Sequence, residues 1–204
     1  MHFVVVRPPG TVWQAGVPLR AQPGWGAHAA FMDRLAEEGF ILLGGPLGAA
    51  GDALHVCDAD SAESVRARLA ADPWSGSVLG PETVYAWQIL LGEESPGRLG
   101  RARHHHFCTL SEQGSAWRTG VPMRDQGLWR EHAAFMNALA EDGFIPIGGP
   151  LKGEDGVHRA LLVVDAASEA DARDRLEPDP WVVANLLRIR TLAPWTILLG
   201  GPAT

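Results

Sequence analysis

Two hydrophobic periods alternate along the chain. Residues 2–7, His-Phe-Val-Val-Val-Arg, are apolar and β-branched, which predicts a strand. A polar loop rich in glycine and proline follows. Trp25, His28, Phe31, Met32 and Leu35 then recur at i, i+3, i+4 spacing and predict an amphipathic helix ending at Gly39. Residues 40–43 read as a short strand stopped by a turn at Gly44-Gly45-Pro46, and residues 53–57 as another strand. Ser61 is placed to N-cap a second helix with Val65 and Leu69 on its inner face. Asp72-Pro73 ends that helix, because the residue before proline is pushed out of the helical region. Residues 83–91 close the pattern as a strand. The order β-α-β-β-α-β is the ferredoxin-like arrangement of the α+β class.

The same pattern is then written again. Residues 13–47 match residues 117–151 at an offset of 104 without a gap, and from 28 to 47 fifteen of twenty positions are identical. The match resumes at offset 107, where 53–74 answers 160–181, and each half closes on Trp-x-Ile-Leu-Leu-Gly, at Trp87 and Trp195. The first strand has its equivalent at 105–110. The stretch between the halves is rich in glycine and charge and reads as a linker. The expected organisation is therefore a unit at 1–92, a linker at 93–103 and a second unit at 104–204. A single ferredoxin-like sheet leaves one face bare, so two units packed sheet to sheet in one chain, with pseudo-twofold symmetry, are expected.

Composition adds exclusions more than assignments. The 204 residues carry a net charge of −7, with 46% hydrophobic and 20% charged residues, as in an ordinary globular protein. No basic cluster favours nucleic acid. No apolar run approaches the ~20 residues of a membrane span, and the apolar start before Arg7 is too short for a signal peptide. Cys57 and Cys108 are too few for a disulfide framework and read as buried hydrophobes in a reducing cytoplasm. The eight tryptophans fall into four matched pairs, 13/117, 25/129, 74/181 and 87/195. Their number thus belongs to the repeated unit. Trp74 and Trp87 read as core anchors.

The run His-x-x-Phe-Met-x-x-Leu-x-x-x-Gly-Phe-Ile-x-x-Gly-Gly-Pro-Leu, followed by a strand, a Ser-capped helix, Asp-Pro-Trp and a closing strand with Trp, resembles the YCII-related proteins in both halves. The resemblance implies a dimeric α+β barrel of ferredoxin-like units. It also implies a cleft in each unit beside a His and the Asp of the Asp-Pro-aromatic motif, proposed in the family as a catalytic dyad. The matching positions are His28 with Asp72 and His132 with Asp179. A dehydrochlorinase of chlorinated hydroxyquinols belongs to the family, and muconolactone isomerase shares the wider superfold.

The residues themselves suit that role. His28 lies in the first turn of its helix on the face of Phe31, Met32 and Leu35, so it points inward, and an imidazole beside a carboxylate suits general acid–base work. Asp before Pro is also a common turn opener, and this role is compatible with the other. Arg20 and Arg124, in the loop before the helix, are placed to clamp a carboxylate or phenolate. Trp13, Trp25, Trp117 and Trp129 are candidates to wall a pocket for a ring compound, with core packing as their other role. Gly-Gly-Pro lacks the pattern of a phosphate loop. His104-His105-His106 has no further ligands at metal spacing, so no metal is expected. His55 aligns with Leu162 and His158 has no evident counterpart, so neither supports a paired site.

Three functions remain open. The first is a cofactor-independent lyase or isomerase acting on a small cyclic or aromatic molecule through a His/Asp pair. The second is a non-catalytic small-molecule binding or accessory protein of the same fold. The third is one live unit beside one structural unit. The chain is expected to act as a monomer or as a homodimer, with a small-molecule ligand as its partner.

Overall fold

A computed structural model of the chain describes residues 1–92, 96, 99 and 106–200. The expected linker lies outside the described residues save Pro96 and Leu99, and so do His104 and His105. Contacts divide the chain into two compact units. Among the described residues, the first unit holds 1–87, 96, 99 and 195–200, and the second holds 88–92 and 106–194. Each unit therefore takes its last short strand from the other half of the sequence.

The first unit contains β1 (His2–Arg7), α1 (Trp25–Glu37), β2 (Ile41–Leu47), β3 (Asp52–Asp58), α2 (Ala62–Leu69) and β4 (Thr83–Trp87). The β-α-β-β-α-β order is as expected. Its strands run β2-β3-β1-β4, all antiparallel, with His2 opposite Asp58 and Phe3 opposite Ala86. The chain passes through β5 (Leu91–Gly92) into the second unit: β6 (His106–Gln113), α3 (Trp129–Glu141), β7 (Ile147–Lys152), β8 (His158–Asp165), α4 (Glu169–Leu176), α5 (Pro180–Val183) and β9 (Leu187–Pro194). There the order is β5-β7-β8-β6-β9, and β10 (Leu199–Gly200) pairs with β2 in the first unit.

The helices form where expected. Ser61 caps α2 by accepting from the Ser64 amide at 3.1 Å, and Ser168 does the same for α4 from Asp171. The apolar stripe of α1 (Phe31, Met32, Leu35) is buried with Phe3, Val5, Ile41, Cys57, Val65, Leu69 and Val84. Phe107, Met136, Phe144, Ile145, Val164, Leu176 and Leu192 form the matching core. Each fully buried side chain of this kind contributes roughly 1.5–3 kcal/mol. The one-turn helix α5 was not expected. It starts where Asp179 accepts from the Trp181 amide and Pro180 sets the first helical φ. No helix among the described residues is long and apolar enough to cross a membrane.

Gly-Gly-Pro is not a turn between strands. It lies inside β2 and β7. The reason is close approach. A Cβ on Gly45 would stand 1.9 Å from the Thr196 carbonyl oxygen, and one on Gly149 would stand 2.0 Å from that of Gln88. The incoming segment hydrogen-bonds across the glycines, with Thr196 N donating to Pro46 O (3.1 Å) and Leu198 N to Gly44 O (2.8 Å). Gln88 N to Pro150 O (3.1 Å) and Leu90 N to Gly148 O (2.9 Å) repeat the arrangement. The expected strand at 83–91 is interrupted for the same reason. Its last part leaves β4 to lie along β7. Gly45→Val is expected to destabilise the chain by about 1–3 kcal/mol through overpacking. Hydrogen exchange should show early loss of protection at the Leu198 amide.

Candidate active site

The loop before α1 is held by one buried amide side chain. Gln22 Nε2 donates to the carbonyls of Gln14 (2.8 Å) and Val17 (3.0 Å), and its Oε1 accepts from Gln14 N (3.0 Å). Gln126 does the same work at Arg118 and Val121. The indole of Trp74 donates to Pro23 O at 2.7 Å, and that of Trp181 to Gly127 O at 2.7 Å. These bonds fix where each helix begins, and hence where its first-turn histidine points.

His28 and Asp72 are brought together. His28 Nδ1 lies 2.7 Å from Asp72 Oδ1, which also accepts from the Trp74 amide at 3.0 Å. His132 Nδ1 lies 2.8 Å from Asp179 Oδ1, which accepts from the Trp181 amide at 3.0 Å. One oxygen thus serves both the turn and the histidine. A carboxylate only accepts, so Nδ1 carries the proton and Nε2 keeps its lone pair in the neutral ring. Each imidazole is stacked on a tryptophan, His28 on Trp74 and His132 on Trp181, both with centroids 3.9 Å apart and planes 5° off parallel. The stack and the Nδ1 bond together leave the ring one orientation.

Each histidine lines a cavity between the first helix and the sheet of its own unit. In the first unit the cavity is about 220 Å³, and Arg20, Trp13 and Trp25 line it. In the second it is about 270 Å³, lined among others by Arg124 and Trp129. Trp117 does not line it. That ring lies behind His158, stacked at 4.2 Å, and meets Trp181 edge-on. Arg20 and Arg124 are exposed, so they belong to the rims. Leu198 and Leu199 wall the first cavity, and Leu90 and Leu91 wall the second.

Several site residues escaped the sequence pattern. Arg7 is fully buried and its Nη1 donates to Asp72 Oδ2 at 2.7 Å. Its counterpart is Ser111, since Arg7 faces Ala53 and Ser111 faces Ala160 in matching registers. Comparing the halves at the end of the first strand would have exposed this exchange. His55 and His158 each line a cavity. The register also supplies the counterpart of His158, which is Gly51. A Cβ on Gly51 would meet Trp13 at 2.5 Å, so the indole occupies space that His158 fills in the second unit. Among the described residues no group of three or more His, Cys, Asp or Glu is placed to hold a metal ion.

Burial alone would push the Asp72 carboxyl up. The bonds from His28 and the Trp74 amide and the charge of Arg7 outweigh it and hold Asp72 below the usual carboxylate range. His55 is pushed down to about 3 by burial, reinforced by the nearby charges of Arg7 and His28. Burial, with His132 close by, lowers His158 to about 4. Both rings are therefore neutral at pH 7 and sit in the cavities as uncharged polar groups.

Residues 105–196 match the model of the YCII-related domain. This part of the chain is a YCII-related domain. No curated protein matches the sequence. Among solved structures, a heme-binding protein from Thermus thermophilus is similar at 14% identity and a TM-score of 0.57, over 97% of this chain and 90% of that one. A chlorite dismutase-like protein is similar at 11% identity and a TM-score of 0.52, over 97% and 94%. A monooxygenase-like protein from Lactobacillus acidophilus follows at 10% identity and a TM-score of 0.50, over 98% and 96%. Such similarity concerns the fold, which for these neighbours is of the dimeric α+β barrel type. In the YCII-related domain the His-Asp-Trp cluster joins the two signatures of the sequence, the histidine of the helix and the Asp-Pro-Trp turn.

Acid should act on the buried histidines. The folded value of His55 lies below the 6.5 of an unperturbed ring. The stability compatible with neutral His55 is thus complete above that value and is lost as pH falls from there through about 3. His55→Leu, the residue its counterpart Leu162 already is, removes this proton uptake on unfolding. Its melting temperature should fall less than that of the parent chain between pH 7 and pH 4, as followed by circular dichroism.

Proposed function

We propose that the chain is a cofactor-independent acid–base catalyst of the lyase or isomerase type, acting on a small cyclic or aromatic molecule. The observation behind the reading is the Nδ1–carboxylate bond of His132, with the ring stacked on Trp181 and set against a cavity. In this reading Nε2 takes a proton from the bound ring compound and returns it to a neighbouring atom or leaving group. Asp179 holds the tautomer and stabilises the imidazolium formed in between. Trp129, Met136 and Leu162 give the cavity its apolar walls, and Arg124 stands at its rim. The first unit, with His28 and Asp72, is proposed as a second copy of the same domain. A reducing compartment suits the free, buried Cys57 and Cys108.

The heme of the Thermus neighbour does not fit these cavities. At about 270 and 220 Å³ both are smaller than the roughly 300–1,000 Å³ of clefts that hold drug-sized ligands, and a porphyrin is larger than such ligands. A small single ring matches the space better.

In the first unit one observation favours binding without catalysis: Arg7 occupies the second oxygen of Asp72. Small lactones and halogenated ring compounds should be turned over by the parent chain, with products followed by NMR. His132→Asn combined with His28→Asn is expected to lower that turnover by about 10²–10⁴-fold, the usual worth of a general acid–base group. Unchanged turnover overturns the catalytic reading. Binding that survives both substitutions, with no product from the parent chain, establishes the binding reading instead.

A further inference from the structure

The two carboxylates differ in their second oxygen. Asp72 Oδ2 accepts from the buried guanidinium of Arg7 at 2.7 Å. Asp179 Oδ2 is buried with no hydrogen-bond partner among the described residues, on a side chain only 1% exposed. Ser111 stands where Arg7 would be, and Thr109, whose buried hydroxyl also has no partner among the described residues, stands where Val5 would be. Both line the cavity of the second unit, together with Asp179, Leu176, Leu187 and Ile189. Neither Arg7 nor Val5 lines the cavity of the first unit. Exchanging a long side chain for a short one therefore opens the second cavity inward, past the histidine, to the carboxylate.

Charge follows the same division. A buried carboxylate is costly unless it is paired and fully hydrogen-bonded. Asp72 has a permanent cation beside it. Among the described residues Asp179 has only His132 as ion-pair partner, and a histidine is charged only when protonated. Arg124, the cation in the lining, is exposed at the rim and screened by solvent.

We propose that the cavity of the second unit takes a ligand with a planar cationic N–H head, an amidinium or guanidinium, which binds Asp179 Oδ2 in the place that Arg7 holds in the first unit. The first unit is the internal template, because it displays the partner this carboxylate geometry accepts. The ligand's apolar body lies along Met136, Leu162 and Trp129, and Ser111 and Thr109 accept its remaining N–H groups. The inference rests on the reading of this cavity as a small-molecule site and adds the chemical class of the ligand.

Benzamidinium is the probe and neutral benzamide its control, titrated calorimetrically into the whole chain at pH 7. Benzamidinium is expected to bind with one equivalent, at least tenfold more tightly than benzamide, and to shift the imidazole NMR signals of His132 but not those of His28. Ser111→Arg, which copies the first unit, is expected to abolish binding without lowering the melting temperature. Equal affinity for the two probes overturns the proposal, as does benzamidinium binding that survives Ser111→Arg. The probe comparison in the parent chain decides the matter even if the variant fails to fold. Should benzamidinium fail while neutral phenols still shift the His132 signals, the ligand class falls and the small-molecule site stands. If no ring compound shifts them, both fall.

Discussion

A buried carboxylate after the second helix is the constraint on which each unit depends. Taking Asp72 or Asp179 out of water is tolerable only if donors converge on it, and the chain supplies them from distant segments. The amide two residues on closes the turn, and the histidine of the first helix bonds the same oxygen. The tryptophan that follows stacks on that histidine and reaches back to the loop before the helix. Turn, helix start and cavity wall are therefore one hydrogen-bonded assembly. Disturbing any member moves the ring on which the proposed chemistry depends.

The periodic parts of this assembly could be read from the sequence. The helices, their serine caps and the inward face of His28 follow from spacing and local propensity, which act over a few residues. The pairing of His with Asp came from family resemblance, because no local rule connects positions 44 or 47 residues apart. What escaped depended on close approach and on register. Gly44-Gly45-Pro46 has the composition of a turn, yet it is strand because another backbone needs the room. Arg7 ends an apolar strand, and no sequence rule marks its guanidinium as interior; its bond to the buried Asp72 does. His158 lacked a counterpart in the linear match, since the equivalent residue of the first unit, Gly51, is a glycine beside a tryptophan.

The two units keep the same frame and differ within it. The turn bond, the stacked ring and the loop clamp recur with distances that agree closely. Four of the differences lie at or near the carboxylate and the cavity: Arg7 against Ser111, Val5 against Thr109, His55 against Leu162, Gly51 against His158. The two cavities thus share one architecture and differ in the polar side chains that line them.

The exchanged closing strands carry a consequence for the chain as a whole. Residues 88–92 cover the glycine-bearing β7, and residues 195–200 cover β2, so each sheet edge is sealed by the sequence half that does not contain it. Severed from the other half, either one would present a bare edge strand with open backbone donors and acceptors, and a cavity missing two leucine walls. The covalent connection holds each seal at high effective concentration. Two separated fragments should then seek each other, complementing in trans as a split protein does, and neither would be a miniature of the whole.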